Sequence, residues 1–454
     1  MTGSSGALSA VRLALDPGPP LDPFALAGDE GIIFRSGDLV LVGLGIAATI
    51  PLVEGLESTP GLEAAARSVA AVTLDDRYPQ SVAGVVAFGA LPFGRSEAAS
   101  LVIPELIYGA DGVGNEWMTA IAATRADLPS DSSGLRQRLA LQATAKPVGT
   151  GDPAGPDTVT PLVSDRSFEA MVDRALQVIA GGSIKKVVLA RQLDVELGAP
   201  IDRAGLLRRW HGLEPNCTVF AMPTEDGQFF GASPELLIER TGPAIHSRPL
   251  AGTTDRMKDR SPGHGDRVLP GELLSSVKDG SEHRLVVEAI DASLRPLCSE
   301  LTVPDHPDLV HLHNITHLGT SVTGTLAQRP DGSLPTALDL VGALHPTPAV
   351  GGVPRDRAVA LIDELEPEPR GHYAGPVGYL DGRGDGRWML GIRSVSLHGN
   401  RARLAAGVGI VGGSVPSTEL VETNLKFTAV LDALSPGMAT DAFAGTPVAG
   451  SAPS

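Results

Sequence analysis

Ala405-Ala-Gly-Val-Gly-Ile-Val-Gly-Gly-Ser414, followed by Val415-Pro-Ser-Thr418 and Glu419-Leu-Val-Glu-Thr-Asn-Leu-Lys-Phe427, is the stretch around which the chain is organised. An apolar, glycine-bearing strand runs into a Gly-Gly turn, and Pro416 and Ser417 open a helix. On that helix Glu419, Glu422 and Lys426 recur at i, i+3 and i+7, which puts them on one face. Two carboxylates and an ammonium on one stripe, beside small residues that admit a ligand to backbone amides, suggest a site for a metal-bridged organic acid. A solvated charged face fits the same stripe, and this stretch alone leaves both readings open. Gly407-Val-Gly409-Ile-Val-Gly412 also matches G-x-G-x-x-G, but a dinucleotide fold needs that motif early in a βαβ unit, with an acidic residue about 20 positions on. Here it precedes an acidic helix late in the chain, so the dinucleotide reading is set aside.

The 454 residues carry a formal net charge of -17, which argues against nucleic acid and anionic membrane as partners, since both reward a basic face. Cys217 and Cys298 are too few for a disulfide framework and have no metal-ligand spacing, as befits a reducing cytoplasm; both read as core residues. No signal peptide is visible, and the most apolar run, Leu39 to Val53, is broken by Gly43, Gly45, Thr49 and Pro51.

Outward from the quoted stretch, residues 1–22 read as a loose segment and 435–454 as a flexible tail. Between them, 23–434 reads as one domain: a scaffold part at 23–141, a linker-like loop at 142–163 and a catalytic part at 164–434. Gly31 to Phe34 and Leu39 to Ile46 form a hairpin around Arg35-Ser-Gly-Asp38. Lys186 heads a buried β-branched strand, where it either snorkels outwards or is held inside. Ser233-Pro-Glu235 sets a carboxylate at the start of another. Residues 256–271 look like a mobile polar insertion, and the helix after it carries Asp279 and Glu282 at the same i, i+3 spacing as Glu419 and Glu422. If these two acidic pairs meet, they repel unless a divalent cation lies between them. His311 to Thr325 reads as one strand, of whose histidines His317 is the one to keep, although the spacing is no zinc pattern. A three-stranded meander, Tyr373 to Leu380, Arg387 to Leu397 and Arg401 to Ile410, closes an α+β fold.

With these residues laid out, the chain resembles the chorismate-utilising enzymes, the family of isochorismate synthase, salicylate synthase and anthranilate synthase large subunits. The resemblance runs from about residue 165 to 434 on motifs in the family's order: Lys186-Val-Val-Leu-Ala-Arg191, Gly231-Ala-Ser-Pro-Glu235, Pro249-Leu-Ala-Gly-Thr253, Lys278-Asp-Gly-Ser-Glu-His283, His317-Leu-Gly-Thr320, Arg370-Gly-His-Tyr373, and Ala406 to Val411 with Glu419, Glu422 and Lys426. It implies one body of two large packed antiparallel sheets, flanked by helices, with the active site in the cleft between the sheets. It further implies Mg²⁺ held directly by Glu282 and Glu422 and through waters by Asp279 and Glu419, with Asp279 standing where the family more often has Glu. Gly252, Thr253, His317, Ala349, Tyr373, Arg393, Gly407, Gly409 and Lys426 fall at its substrate positions.

Members that add ammonia tend to carry Gln where Lys186 stands and draw ammonia from an amidotransferase, so no such subunit is expected. A lysine there can activate water, provided burial favours the neutral amine. His345-Pro-Thr-Pro-Ala-Val-Gly-Gly-Val-Pro354 is a loop of the isochorismate synthase type; salicylate synthases usually have Thr at the Ala349 position. The resemblance therefore implies Mg²⁺-dependent conversion of chorismate to isochorismate by a monomer, with Lys186 as base and Glu235 as acid. Salicylate formation is the alternative reading, and a catalytically dead ligand-binding relative is disfavoured by the intact acid, base and metal residues.

Overall fold

The computed structural model describes residues 8–78, 84–144, 156–198, 200–225, 227–255 and 270–434. The largest sheet runs in the order Pro156–Pro161, Lys186–Leu197, Arg401–Val411, Ser394–His398, Gly227–Ser233, Thr218–Thr224, Ile32–Ser36, Leu39–Leu44, Leu106–Ala110, Glu116–Ala122, Ser9–Ala14 and Thr73–Asp76. Gly352–Val353 pairs with Lys186–Leu197 off this path. A nine-stranded sheet includes Leu236–Thr241, Gly386–Leu390, Pro376–Asp381 and Val86–Ala90 at its centre, and Leu250–Asp255, Ile315–Gly319 and Asp308–His311 form a small third sheet. Among the described residues every pairing is antiparallel except that of Ser9–Ala14 with Thr73–Asp76.

Side chains alternate across a strand, so one strand can serve two cores. Phe229 joins a cluster between the two large sheets with Phe34, Phe88, Tyr379 and Trp388, where Phe34 meets Tyr379 edge to face at 5.4 Å. Phe230 faces the other way, onto Trp210 at 6.2 Å, in a cluster covered by helices Arg203–Leu213 and Pro416–Leu434. Each fully buried phenylalanine contributes about 1.5–3 kcal/mol of transfer free energy, so both faces of the large sheet help to stabilise the fold.

The α+β class and the packed sheets agree with the expectation, while several boundaries do not. Ser9–Ala14 is a paired strand rather than loose chain, with Val11 and Leu13 buried on Glu116–Ala122. The linker-like loop begins inside helix Leu135–Thr144 and ends as strand Pro156–Pro161 on Leu193 to Leu197; residues 145–155 lie outside the described residues. The predicted tail at 435–454 and most of the 256–271 insertion also lie outside them. His311 to Thr325 is not one strand, because the chain turns at residues 312–314 and again at 320–321 and changes sheet.

The meander is also divided. Pro376–Asp381 and Gly386–Leu390 belong to the nine-stranded sheet, whereas Ser394–His398 and Arg401–Val411 belong to the largest. The chain crosses between sheets at residues 391–393, where Arg393 takes φ = 50°, the left-handed region that a non-glycine residue rarely adopts. Cys298 is half-buried rather than core, while Cys217 is buried, and both are free thiols. No helix among the described residues is long and apolar enough to cross a membrane.

Candidate active site

Strands Lys186–Leu197 and Arg401–Val411 pair over their whole length, with Val188 opposite Gly409 and Ala190 opposite Gly407. On that shared face the glycines leave a trough. Glu282, from helix Val277–Leu294, fills part of it: its Oε1 lies 3.0 Å from Lys186 Nζ. A Cβ at Gly409 would stand 2.1 Å from that same oxygen and 3.0 Å from Lys186 Cε. Lys186 is fully buried, and its ammonium faces Glu282 at an angle that makes an ion pair without a hydrogen bond. Of the two orientations open from sequence, it is held inside.

The cavity in front of this trough is lined by Glu235, Gly252, Thr253, Glu282, His317, Ala349, Tyr373, Arg393, Gly407, Gly409, Glu422 and Lys426, all expected site residues. Lys186, Asp279 and Glu419 are not among the residues that line it.

Each group has a definable charge state or partner. Burial pushes the Glu235 carboxyl up to about 8, against the Leu250 N–H, 3.3 Å from Oε1, and the cations Lys186 and Lys426, so it carries a proton at neutral pH. Burial, with Arg393 and Lys426 nearby, pushes His317 down to about 3; the neutral ring donates from Nδ1 to the Gly252 carbonyl at 3.0 Å. Gly252 adopts φ = 74°, and a Cβ there would meet Asp279 Cβ at 3.0 Å. Burial raises the Tyr373 phenol to about 12. Lys426 Nζ donates to the Gly407 carbonyl at 2.8 Å and pairs with Glu422 at 2.7 Å. Arg393 Nη1 donates to Glu214 at 3.0 Å, while its buried Nη2 has no partner among the described residues. A cavity with two cationic side chains, one with an unspent donor, and a protonated carboxyl suits a dianion whose hydroxyl is to be expelled.

The two acidic helices do meet. Burial first, and then Glu282 and Glu422, hold Asp279 above the usual carboxylate range; burial first, and then Glu422, do the same for Glu419. Lysines partly offset this repulsion: Lys278 on Glu419 at 2.6 Å, Lys426 on Glu422 and Lys186 on Glu282. Among the described residues no three acidic, histidine or cysteine side chains stand gathered as a ready-made metal cage. The donor set, all carboxylate oxygen and mutually repelling, is nonetheless the type that suits a hard divalent ion such as Mg²⁺.

Sequence reasoning passed over two residues here. Arg370, quoted only within a motif, is committed to the carbonyls of Val350 at 2.7 Å and Val188 at 2.8 Å and to Glu366 at 2.9 Å, and its guanidinium sits 4.3 Å from the Phe93 ring centre. It fastens the Ala349 loop to the Lys186 strand. Glu214 lies at the end of an unremarked helix, 179 positions from the Arg393 it binds.

Residues 31–435 match the family "Chorismate binding enzyme". The chain is 39% identical over 358 residues to a putative isochorismate synthase of Mycobacterium tuberculosis, covering 77% of this chain and 86% of that protein. It is 35% identical over 402 residues to isochorismate synthase DhbC of Bacillus subtilis, covering 87% and 91%. Among solved structures, a putative 2,3-dihydroxybenzoate-specific isochorismate synthase from Bacillus anthracis superposes with TM-score 0.72 at 32% identity, over 91% of this chain and 99% of that one. The menaquinone-specific isochorismate synthase of Escherichia coli gives 0.74 at 26% identity, over 95% and 96%. The chain belongs to the chorismate-binding enzyme family, and along most of its length it is similar to isochorismate synthases.

Proposed function

We propose that the protein is a Mg²⁺-dependent isochorismate synthase that converts chorismate to isochorismate. The observation that carries this reading is Glu235, a buried carboxyl that burial pushes towards its protonated form, in the cavity where Arg393 and Lys426 offer positive charge. Lys186 takes a proton from the water that attacks ring C2, the two ring double bonds shift, and Glu235 gives its proton to the departing C4 hydroxyl, which leaves as water. One water enters and one leaves, so the net change is an isomerisation. Lys186 acts as a base only as the neutral amine, so its pair with Glu282 has to be broken before it takes that proton. Arg393, Lys426 and the amides around Gly252 and Gly407 hold the two carboxylates, and neutral His317 keeps the Gly252 turn in place.

Glu282 and Glu422 would hold the metal directly, with Asp279 and Glu419 behind them. Bound there, Mg²⁺ would neutralise the ring carboxylate and draw electron density towards C1. A lysine rather than an ammonia-guiding amide at position 186 supports action without an amidotransferase subunit, and the two free thiols support a cytoplasmic setting; a monomer is the simplest assembly for so enclosed a site. Chromatography after incubation with chorismate and Mg²⁺ tests the reading: isochorismate is the expected product, and absence of turnover, or salicylate with pyruvate as the main product, would overturn it.

A further inference from the structure

Resting on that reading, we infer that Glu214 is a positioning residue for substrate, acting through Arg393. The Arg393 backbone sits in the left-handed region at the crossing between the two large sheets, and its guanidinium is gripped from another element. That grip is Glu214. Its Oε1 accepts from Arg393 Nη1 at 3.0 Å, and both side chains are more than nine-tenths buried. With Nη1 spent on Glu214, the buried Nη2 has no partner among the described residues, in a side chain that lines the cavity.

Glu214 is itself fixed from other elements. Both its oxygens accept from the His313 N–H, at 3.1 and 3.0 Å, in the turn just before strand Ile315–Gly319, which carries His317. Its own carbonyl accepts from the Cys217 N–H at 3.0 Å, at the head of strand Thr218–Thr224. One carboxylate therefore ties the sheet crossing that bears Arg393 to the small sheet that bears His317. Since a guanidinium fork recognises a carboxylate through fixed direction as much as charge, losing this anchor loosens substrate binding before it slows the chemistry.

Reach and charge separate in two variants. Glu214→Asp keeps the charge but falls one methylene short of Arg393, whereas Glu214→Gln keeps an oxygen at the same reach. Steady-state kinetics should show Glu214→Asp with KM for chorismate raised about tenfold or more, a decade being 1.4 kcal/mol, and kcat within about threefold; Glu214→Gln should keep KM within about threefold. In an Arg393→Lys background Glu214→Asp should add nothing further to KM, because both changes remove one interaction. The inference is overturned if Glu214→Asp leaves KM unchanged, if kcat falls instead, or if its full effect persists in the Arg393→Lys background, which would place its role at the His313 turn. Failure of wild type to turn over chorismate would instead reject the underlying function, and thermal melts of each variant separate misfolding from both.

Discussion

Gly409 and Glu282 compete for the same space: a Cβ on Gly409 would lie 2.1 Å from Glu282 Oε1, so the absence of a side chain on the strand lets the carboxylate reach Lys186. Glycine here serves close approach of a carboxylate rather than a turn. Because the obstructed atom is the far end of a flexible side chain, Gly409→Ala should fold, with the melting temperature lowered by only a few degrees. Glu282 and Lys186 would be pushed apart, and kcat with chorismate should fall about 100-fold or more, since small misplacements cost that much in an oriented site. Near-normal turnover in a folded Gly409→Ala protein would mean that neither group needs its observed position.

The Glu235 carboxyl makes pH a direct probe. Its value rises from the ordinary 4.5 to about 8 on burial, so between those values the native state holds a proton that the unfolded chain has lost. Stability should therefore fall as pH rises from about 4.5 to 8, and Glu235→Gln should flatten that part of the curve in denaturant titrations. In its proposed role of proton donor Glu235 must be protonated to work, so kcat/KM should decline above about pH 8. Glu235→Gln and Lys186→Gln should each lose about 10²–10⁴-fold in kcat while keeping their circular dichroism. A profile that stays flat to pH 9.5 would assign the proton donation elsewhere.

Chelation examines the carboxylate cluster. Excess chelator should abolish turnover and Mg²⁺ restore it, while Glu282→Ala and Glu422→Ala should resist restoration at ordinary Mg²⁺, each leaving a divalent ion short of an oxygen ligand. Titration calorimetry with Mg²⁺ alone reads the same loss without catalysis. Either variant working normally at ordinary Mg²⁺ would remove the two-helix site from the mechanism.

Local pattern made much of this legible from sequence. Glu419, Glu422 and Lys426 share a face by helical periodicity, and the apolar run Val187 to Ala190 marked the Lys186 strand as buried. What stayed hidden depends on partners distant in the chain. Nothing local distinguishes Arg387 to Leu397 from one long strand, because the break at residues 391–393 is a change of sheet. Ser9–Ala14 looked loose because its strand character comes from pairing with Thr73–Asp76 and Glu116–Ala122. The lysines on the acidic helices were visible as residues but not as counterions, since Lys278 and Glu419 meet only when their helices pack, 141 positions apart.

The loop that carries Ala349 is placed to influence where the proposed reaction stops. Loss of pyruvate from isochorismate needs the C2 hydrogen to reach the enolpyruvyl side chain in a pericyclic geometry, so it is governed by how the cavity holds ring and side chain, and needs no further acid or base. Ala349 lines that cavity with a methyl group and no hydroxyl. Its loop is stiff: the Val350 carbonyl accepts from Arg370 Nη1 at 2.7 Å, and the Val350 N–H donates to the Thr347 carbonyl at 3.1 Å. A side chain added at 349 therefore projects towards the substrate space rather than being absorbed by a yielding backbone. Ala349→Thr adds volume and a hydrogen-bonding hydroxyl there, which narrows the poses of the bound intermediate. Wild type should release isochorismate as its main product, and Ala349→Thr should gain detectable salicylate and pyruvate while its melting temperature shifts by only a few degrees. Chromatography of the two reaction mixtures decides the matter: a folded, active Ala349→Thr enzyme that still yields isochorismate alone would show that this position does not set the product.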